Sequence, residues 1–218
     1  MASSPAPSRP LRADAERNRR RLLDAANELF ATKGLSVGRE EIARHAGVGV
    51  ATAYRRFPDK AQLIDELLAD HVARLVALAE EALERDDPWE ALVGFIEAAV
   101  DINAANRGVK ELVFGSADGA RLVDRARLQL APLVAQLVQR AQASGDLRAD
   151  ISITDMPLIQ FMVSSLGEIR GPHAERIWRR YLGIVLDGLR TPEPRPLERR
   201  AMTMPEWAET MKAAAHRP

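Results

Sequence analysis

Two stretches with helical patterning, residues 39–46 and 50–57, are separated by only Gly47, Val48 and Gly49. Such a tight connection is a turn. Two helices held at a steep angle by a short turn need a small residue where they approach and an apolar set tying them to a supporting helix. Ala43 supplies the small residue at the crossing and Gly47 permits the turn. Ile42, Val48, Ala53 and Phe57 form the inward set, facing Leu29 and Phe30 of the preceding segment. At 1.5 Å rise per residue the second helix is roughly 12 Å long. That matches the ~12 Å width of the B-DNA major groove.

Helical periodicity also governs the rest of the chain. Leu22, Leu23, Ala26, Leu29 and Phe30 form one stripe, stopped by Gly34. Residues 1–10, with Pro5, Pro7 and Pro10, are expected to be a disordered leader, with structure starting near Leu11. After Pro58 a long amphipathic helix is predicted to run to about residue 85 on Leu63, Ile64, Leu67, Leu68, His71, Val72, Leu75 and Leu78. Asp87-Pro88 reads as a cap and first turn. Residues 119–144 carry a further stripe that Pro132 can kink. The stretches 154–170 and 172–190 are apolar on more than one side, so each needs more than one neighbour. Pro192, Pro194 and Pro196 make a stiff linker before a short helix over 205–215. No strand or internal repeat is evident. The expected fold is all-α: a three-helix helix-turn-helix domain over 11–60, a larger helical domain over 61–190, and a Pro-rich linker and tail over 191–218.

Several function classes are excluded by composition and spacing. There is no cysteine, so disulfides, thiol nucleophiles and thiolate metal sites are absent. His45, His71, His173 and His216 are scattered, which supports no metal site. Neither a Gly-rich phosphate loop nor a Ser/His/Asp constellation appears, so the chain is not read as an enzyme and no cofactor is expected. No apolar run of about 18 residues could span a membrane. The first ten residues lack the apolar region of a secretory signal, so a soluble, cytoplasmic protein is expected. The net charge of zero hides an asymmetry: residues 1–60 hold 12 Lys and Arg against 7 Asp and Glu, and the remainder 19 against 24. A basic N-terminal unit beside an acidic larger one suits a nucleic-acid reader joined to a domain with another task.

On the second short helix the outward residues are Ala51, Thr52, Tyr54, Arg55 and Arg56. Arginine can donate twice to guanine, while Ala and the Thr methyl can touch a thymine methyl. Tyr54 and Lys60 are better placed for phosphates, which fix register without reading sequence. Arg39, opening the first short helix, is grouped with this DNA-facing set. Arg9, Arg12, Arg17, Arg19, Arg20 and Arg21 form either an arm toward DNA or a solvated segment.

The stretch IARHAGVGVATAYRRFPDKAQLI resembles the TetR family of transcriptional regulators, whose Thr-x-Tyr-x-x-Phe-x-x-Lys pattern falls here on Thr52, Tyr54, Phe57 and Lys60. The resemblance covers residues 15–65. It implies an all-helical homodimer with a variable ligand-binding domain, usually a repressor released by a small molecule, and phosphate contacts from Tyr54 and Lys60. Gly38 and Gly49 depart from the hydroxyl residues common at the starts of the two reader helices. Glycine can still cap but brings no side-chain contact to phosphate.

Beyond the reader, the expected partners are a double-stranded, near-palindromic DNA operator, a second copy of the chain, and an unidentified small-molecule effector; no membrane is expected. Candidate pocket residues are Trp89, Phe95, Ile96, Val100, Phe114, Leu130, Phe161 and Met162, each of which also reads as ordinary core. Asn103 stands out because a buried amide on an apolar stripe must find a partner; Asp101, Arg127 and Gln160 are weaker polar candidates. The dimer interface is expected on the last two strong helices, through Ser164, Ser165, Trp178, Tyr181 and Val185. An effector-independent DNA binder or activator, and more remotely a carrier or enzyme retaining the reader, stay open as alternatives.

Overall fold

The computed structural model describes residues 9–105, 125, 128–166, 169, 174–190 and 194–215. Among them the regular elements are α1 (Arg9–Lys33), α2 (Arg39–His45), α3 (Val50–Arg56), α4 (Lys60–Leu83), α5 (Pro88–Ala105), α6 (Ala131–Ala143), α7 (Asp155–Leu166), α8 (Ala174–Leu189) and α9 (Met204–Ala215). The described residues contain no strand.

The first helix begins earlier than expected, at Arg9, which corrects the leader's boundary of residue 10. Pro10 is tolerated because in the first turn its missing N–H had no partner to lose. The six arginines therefore lie on a helix, not on an extended arm. Gly34 closes α1 at φ +73° and Gly47 turns the chain between α2 and α3 at φ +62°, a region costly for any residue with a Cβ.

Two hydrophobic cores share α4. One joins Leu22, Leu29, Phe30, Ile42, Ala43, Val48, Ala53 and Phe57 to the N-terminal half of α4, as far as Val72. The other takes over at Leu75 and gathers α5, α6, α7 and α8. The first core therefore extends past residue 60 into α4. The reader closes its core on more than three turns of α4, because α1 and two seven-residue helices alone leave one side of Phe30 and Phe57 open. Asp59 caps α4, accepting from the Gln62 backbone N–H at 2.7 Å.

In the larger domain α5 is the central helix, packed against α4, α6 and α7, with α8 against α7. Asp87 caps it, accepting at 2.9 Å from the backbone N–H groups of both Trp89 and Glu90. Arg140 of α6 donates at 2.6 Å to the carbonyls of Leu83 and Arg85, satisfying chain ends that α4 leaves open. Pro132 occupies the first turn of α6, where a missing N–H costs no helical bond.

The tail is not an independent extension. Arg148, paired with Asp150 at 2.6 Å, also donates to the Arg195 carbonyl at 2.6 Å, and Thr154 donates to the Met202 carbonyl at 2.7 Å. A reciprocal capping box then starts α9. The Thr203 N–H donates to Glu206 at 2.8 Å, and the Glu206 N–H to the Thr203 hydroxyl at 3.4 Å. Glu206 also holds Arg200 at 2.6 and 2.8 Å, and these partners depress its carboxyl to about 2.

Candidate nucleic-acid interface and ligand cleft

The inward and outward faces of α3 divide as the spacing requires. Ala53 and Phe57 are buried, whereas Ala51, Tyr54 and Arg55 are exposed and Thr52 is half-buried. Arg39 stacks 4.3 Å from the centre of the Tyr54 ring and donates to the carbonyls of Phe57, at 3.0 Å, and Pro58. Arg39 is therefore a brace that fixes α2 against the end of α3. Tyr54 reaches Glu40 at 3.4 Å.

Two residues of the DNA-facing set have partners within the reader. Arg56 donates to Glu66 of α4 at 2.8 Å, and Arg19 of α1 donates to the same carboxylate oxygen at 2.6 Å. One carboxylate thus ties α1, α3 and α4 together, and Arg56 positions the reading helix instead of standing free on it. Lys60 donates to the Leu35 carbonyl and lies 5.4 Å over the Phe30 ring, and burial holds its ammonium below the ordinary lysine range. Arg55 has no ion pair or hydrogen bond among the described residues. The glycine caps behave as their chemistry requires: neither Gly38 nor Gly49 offers a side-chain cap.

In the larger domain, the pocket set separates into three groups. Phe95 and Leu130 line a half-open cleft with about 500 Å³ of empty space, its solvent-facing mouth included. Trp89, Ile96 and Val100 are buried in the core around α5 and are not among the described residues that line this cleft. Phe161 and Met162 are corrected outward: they lie on the exposed side of α7, with Met162 52% exposed. Phe114 and Arg127 lie outside the described residues. The residues that complete the cleft are Ala131, Val134, Ile153, Thr154, Met156, Pro157, Gln160, Met204 and Trp207. Gln160, one of the weaker polar candidates in the sequence, stands in this wall. Met204 and Trp207 come from the tail, and no local pattern connects them with α5.

Asn103 finds its partner in His71, whose ring it hydrogen-bonds. His71 sits on α4 beside the meeting point of the two cores, with Nδ1 sealed and unpaired among the described residues. Burial, with Arg74 adding to it, lowers its pKa to about 4. Below about pH 6.5 the unfolded chain therefore takes up a proton that the folded chain refuses until about pH 4. Stability should fall across that window by about 3 kcal/mol from this group. Urea titrations at pH 7 and pH 4.5 should show a clearly smaller decline in His71→Gln; an equal decline would refute the assignment.

The proposed dimer residues also divide. Trp178, 5% exposed, belongs to the core, and Ser164 is buried, donating to the Phe161 carbonyl at 3.1 Å. Val185 is partly buried against the core. Tyr181 is 51% exposed, and Leu158, Phe161, Met162 and Ile184 are exposed with it. On α7 the apolar positions 158, 161 and 162 fall on one helical stripe, with Ser165 one turn further.

A steep helix pair braced behind, with an exposed polar face on the second helix, joined through one long helix to a helical domain with an apolar cleft, defines a one-component DNA-binding regulator. Family models agree in both parts. One described as "Bacterial regulatory proteins, tetR family" matches residues 22–67, and one described as "Transcriptional regulator SbtR-like, C-terminal domain" matches residues 87–191. The chain belongs to the TetR family of transcriptional regulators, a family of regulators and not of enzymes. It is similar to the TetR transcription regulatory protein from Mycobacterium vanbaalenii, at 35% identity and a TM-score of 0.62, covering 84% of this chain and all of that one. It is also similar to SCO0520 from Streptomyces coelicolor, at 31% identity and a TM-score of 0.61, covering 80% and 99%. The HTH-type transcriptional repressor KstR2 of Mycolicibacterium smegmatis is 26% identical over 184 residues, 77% of this chain and 88% of that protein. No helix among the described residues is long and apolar enough to cross a membrane.

Proposed function

We propose that this protein is a homodimeric repressor that binds a near-palindromic DNA operator through α3 and is released by a small, largely apolar effector. The exposed face of α3 carries the reading: Thr52 and Arg55 toward base edges, Ala51 toward thymine methyls, and Tyr54 toward phosphate. Lys60 joins Tyr54 as a phosphate contact if its ammonium swings from the Leu35 carbonyl, and Arg56 and Arg39 set the angle of the helix. Repression as the direction of control follows the relative described as a repressor. An effector in the larger domain would act through α4, because that helix is part of both cores. A coupling of about 1–3 kcal/mol corresponds to a roughly 5- to 150-fold loss of operator affinity.

The dimer is assigned to the exposed apolar surface of α7 and α8, centred on Phe161, Met162, Tyr181 and Ile184. Two copies meeting there would make a two-fold four-helix contact and place two reading helices about 34–36 Å apart, or a further turn on a longer operator. In sedimentation, Ile184→Glu should raise the dimer dissociation constant at least about a hundredfold, since a charge would be buried against apolar side chains. An unchanged constant would move the interface elsewhere. Operator shift assays on the same variant should show loss of cooperative binding to the full site.

A further inference from the structure

The segment after α8 lies beyond the C-terminal family match, which ends at residue 191, yet it supplies part of the wall of the larger domain's cleft. Met204 and Trp207 of α9 stand there with Phe95 of α5, Val134 of α6 and Met156 of α7. The segment is also fastened at its entry, by Thr154 to the Met202 carbonyl at 2.7 Å. Thr154 itself lines the cleft, so the latch and the wall are contiguous.

The polar groups of this cleft are few and uncharged. Gln160 is 8% exposed, lines the cleft, and its amide pairs with none of the described residues. The Trp207 indole N–H is sealed from solvent and has no acceptor among the described residues. Buried amides and indoles carry a free-energy penalty unless a partner reaches them. Among the described residues no Asp, Glu, Lys, Arg or His lines the cleft, so they offer a charged occupant no counter-ion.

From these features we infer that the tail helix α9 is a wall of the effector site. Its occupant is an uncharged, mainly apolar molecule whose carbonyl-type oxygen accepts from the Gln160 amide, with the Trp207 N–H as second donor after a small shift of the indole. The inference rests on the reading of the larger domain as the effector domain. It goes beyond that reading in assigning the site, the ligand class and a role for the tail. Apolar contact with Phe95, Met156 and Met204 supplies the binding energy, and the two donors orient the oxygen. Loosening α9 at the Thr154 latch would widen the mouth of the cleft and ease entry and release.

The probe for this site is prodan, a neutral naphthyl ketone with one carbonyl acceptor, whose emission shifts to the blue on burial. With the full chain, it should bind with a blue shift and with energy transfer from tryptophan. A carbonyl-free alkylnaphthalene of similar size should compete more weakly. Gln160→Leu and Trp207→Phe preserve most of the packing and remove one donor each, so each should weaken prodan binding about three- to tenfold. Thr154→Val should speed prodan dissociation by unfastening the tail. Absence of binding to the parent chain, or equal affinity in parent, Gln160→Leu and Trp207→Phe, would overturn the proposal. Operator binding measured on the same samples separates the two readings. Intact DNA binding without a prodan site refutes the cleft assignment alone, whereas a functioning prodan site in a chain that binds no DNA refutes the regulatory reading alone.

Discussion

Arg55→Ala is expected to lower operator affinity about a thousandfold in a shift assay on the dimer. The magnitude comes from two half-sites, each losing an arginine–guanine contact worth about 2 kcal/mol. Arg55 carries this role because it is the exposed arginine of α3 with no partner among the described residues, whereas its neighbour Arg56 is held by Glu66 at 2.8 Å. Substitution of Arg56 should behave differently: a partly exposed ion pair contributes under about 1 kcal/mol of stability, and its loss changes the pose of α3 more than its chemistry. Operators altered at one base pair distinguish the two. Arg55→Ala should flatten discrimination at one position of each half-site, and Arg56→Ala should weaken all sequences alike. If Arg55→Ala binds within about threefold of the parent, the reading face has been misassigned.

Phe57→Ala should destabilise the reader by about 3–5 kcal/mol. Phe57 ends α3, is 2% exposed, and packs in the same core as Phe30, Ile42 and the first half of α4. Truncation leaves a cavity where α1, α3 and α4 converge, and none of these helices can close it without breaking the Arg19–Glu66–Arg56 cluster. The second core begins at Leu75 and does not contain Phe57. Denaturation should therefore split into two transitions, an early one that abolishes DNA binding and a later one that retains prodan binding. A single transition shifted as a whole would mean that α4 couples the two cores into one cooperative unit.

The reader was legible because its constraints are local. Gly47 at positive φ and the buried set Ile42, Val48, Ala53 and Phe57 follow from residues within a few positions of one another; the Asp59 cap, one residue after the Pro58 start signal, was not read. Pro88 and the terminal helix could be placed on similar grounds. Long-range pairing was not legible. That Glu66 would take Arg56 out of the exposed set, or that Lys60 would turn toward Leu35, depends on how α1 and α4 approach each other. Helices apolar on two sides gave the same difficulty. Trp178 and Tyr181 are three apart on α8 and look alike as pattern, yet one faces the core and the other solvent. The cleft was least accessible, since Gln160 and Trp207 are brought together only by the return of the chain through the proline-rich linker.

A two-fold reader of a specific DNA site is tested by selecting bound duplexes from a random library with the full chain and footprinting the product. The selected sequence should be an inverted repeat with half-sites centred about one or two helical turns apart, with major-groove protection at each half-site. Enrichment of a single unrepeated site, or of no sequence at all, would contradict it.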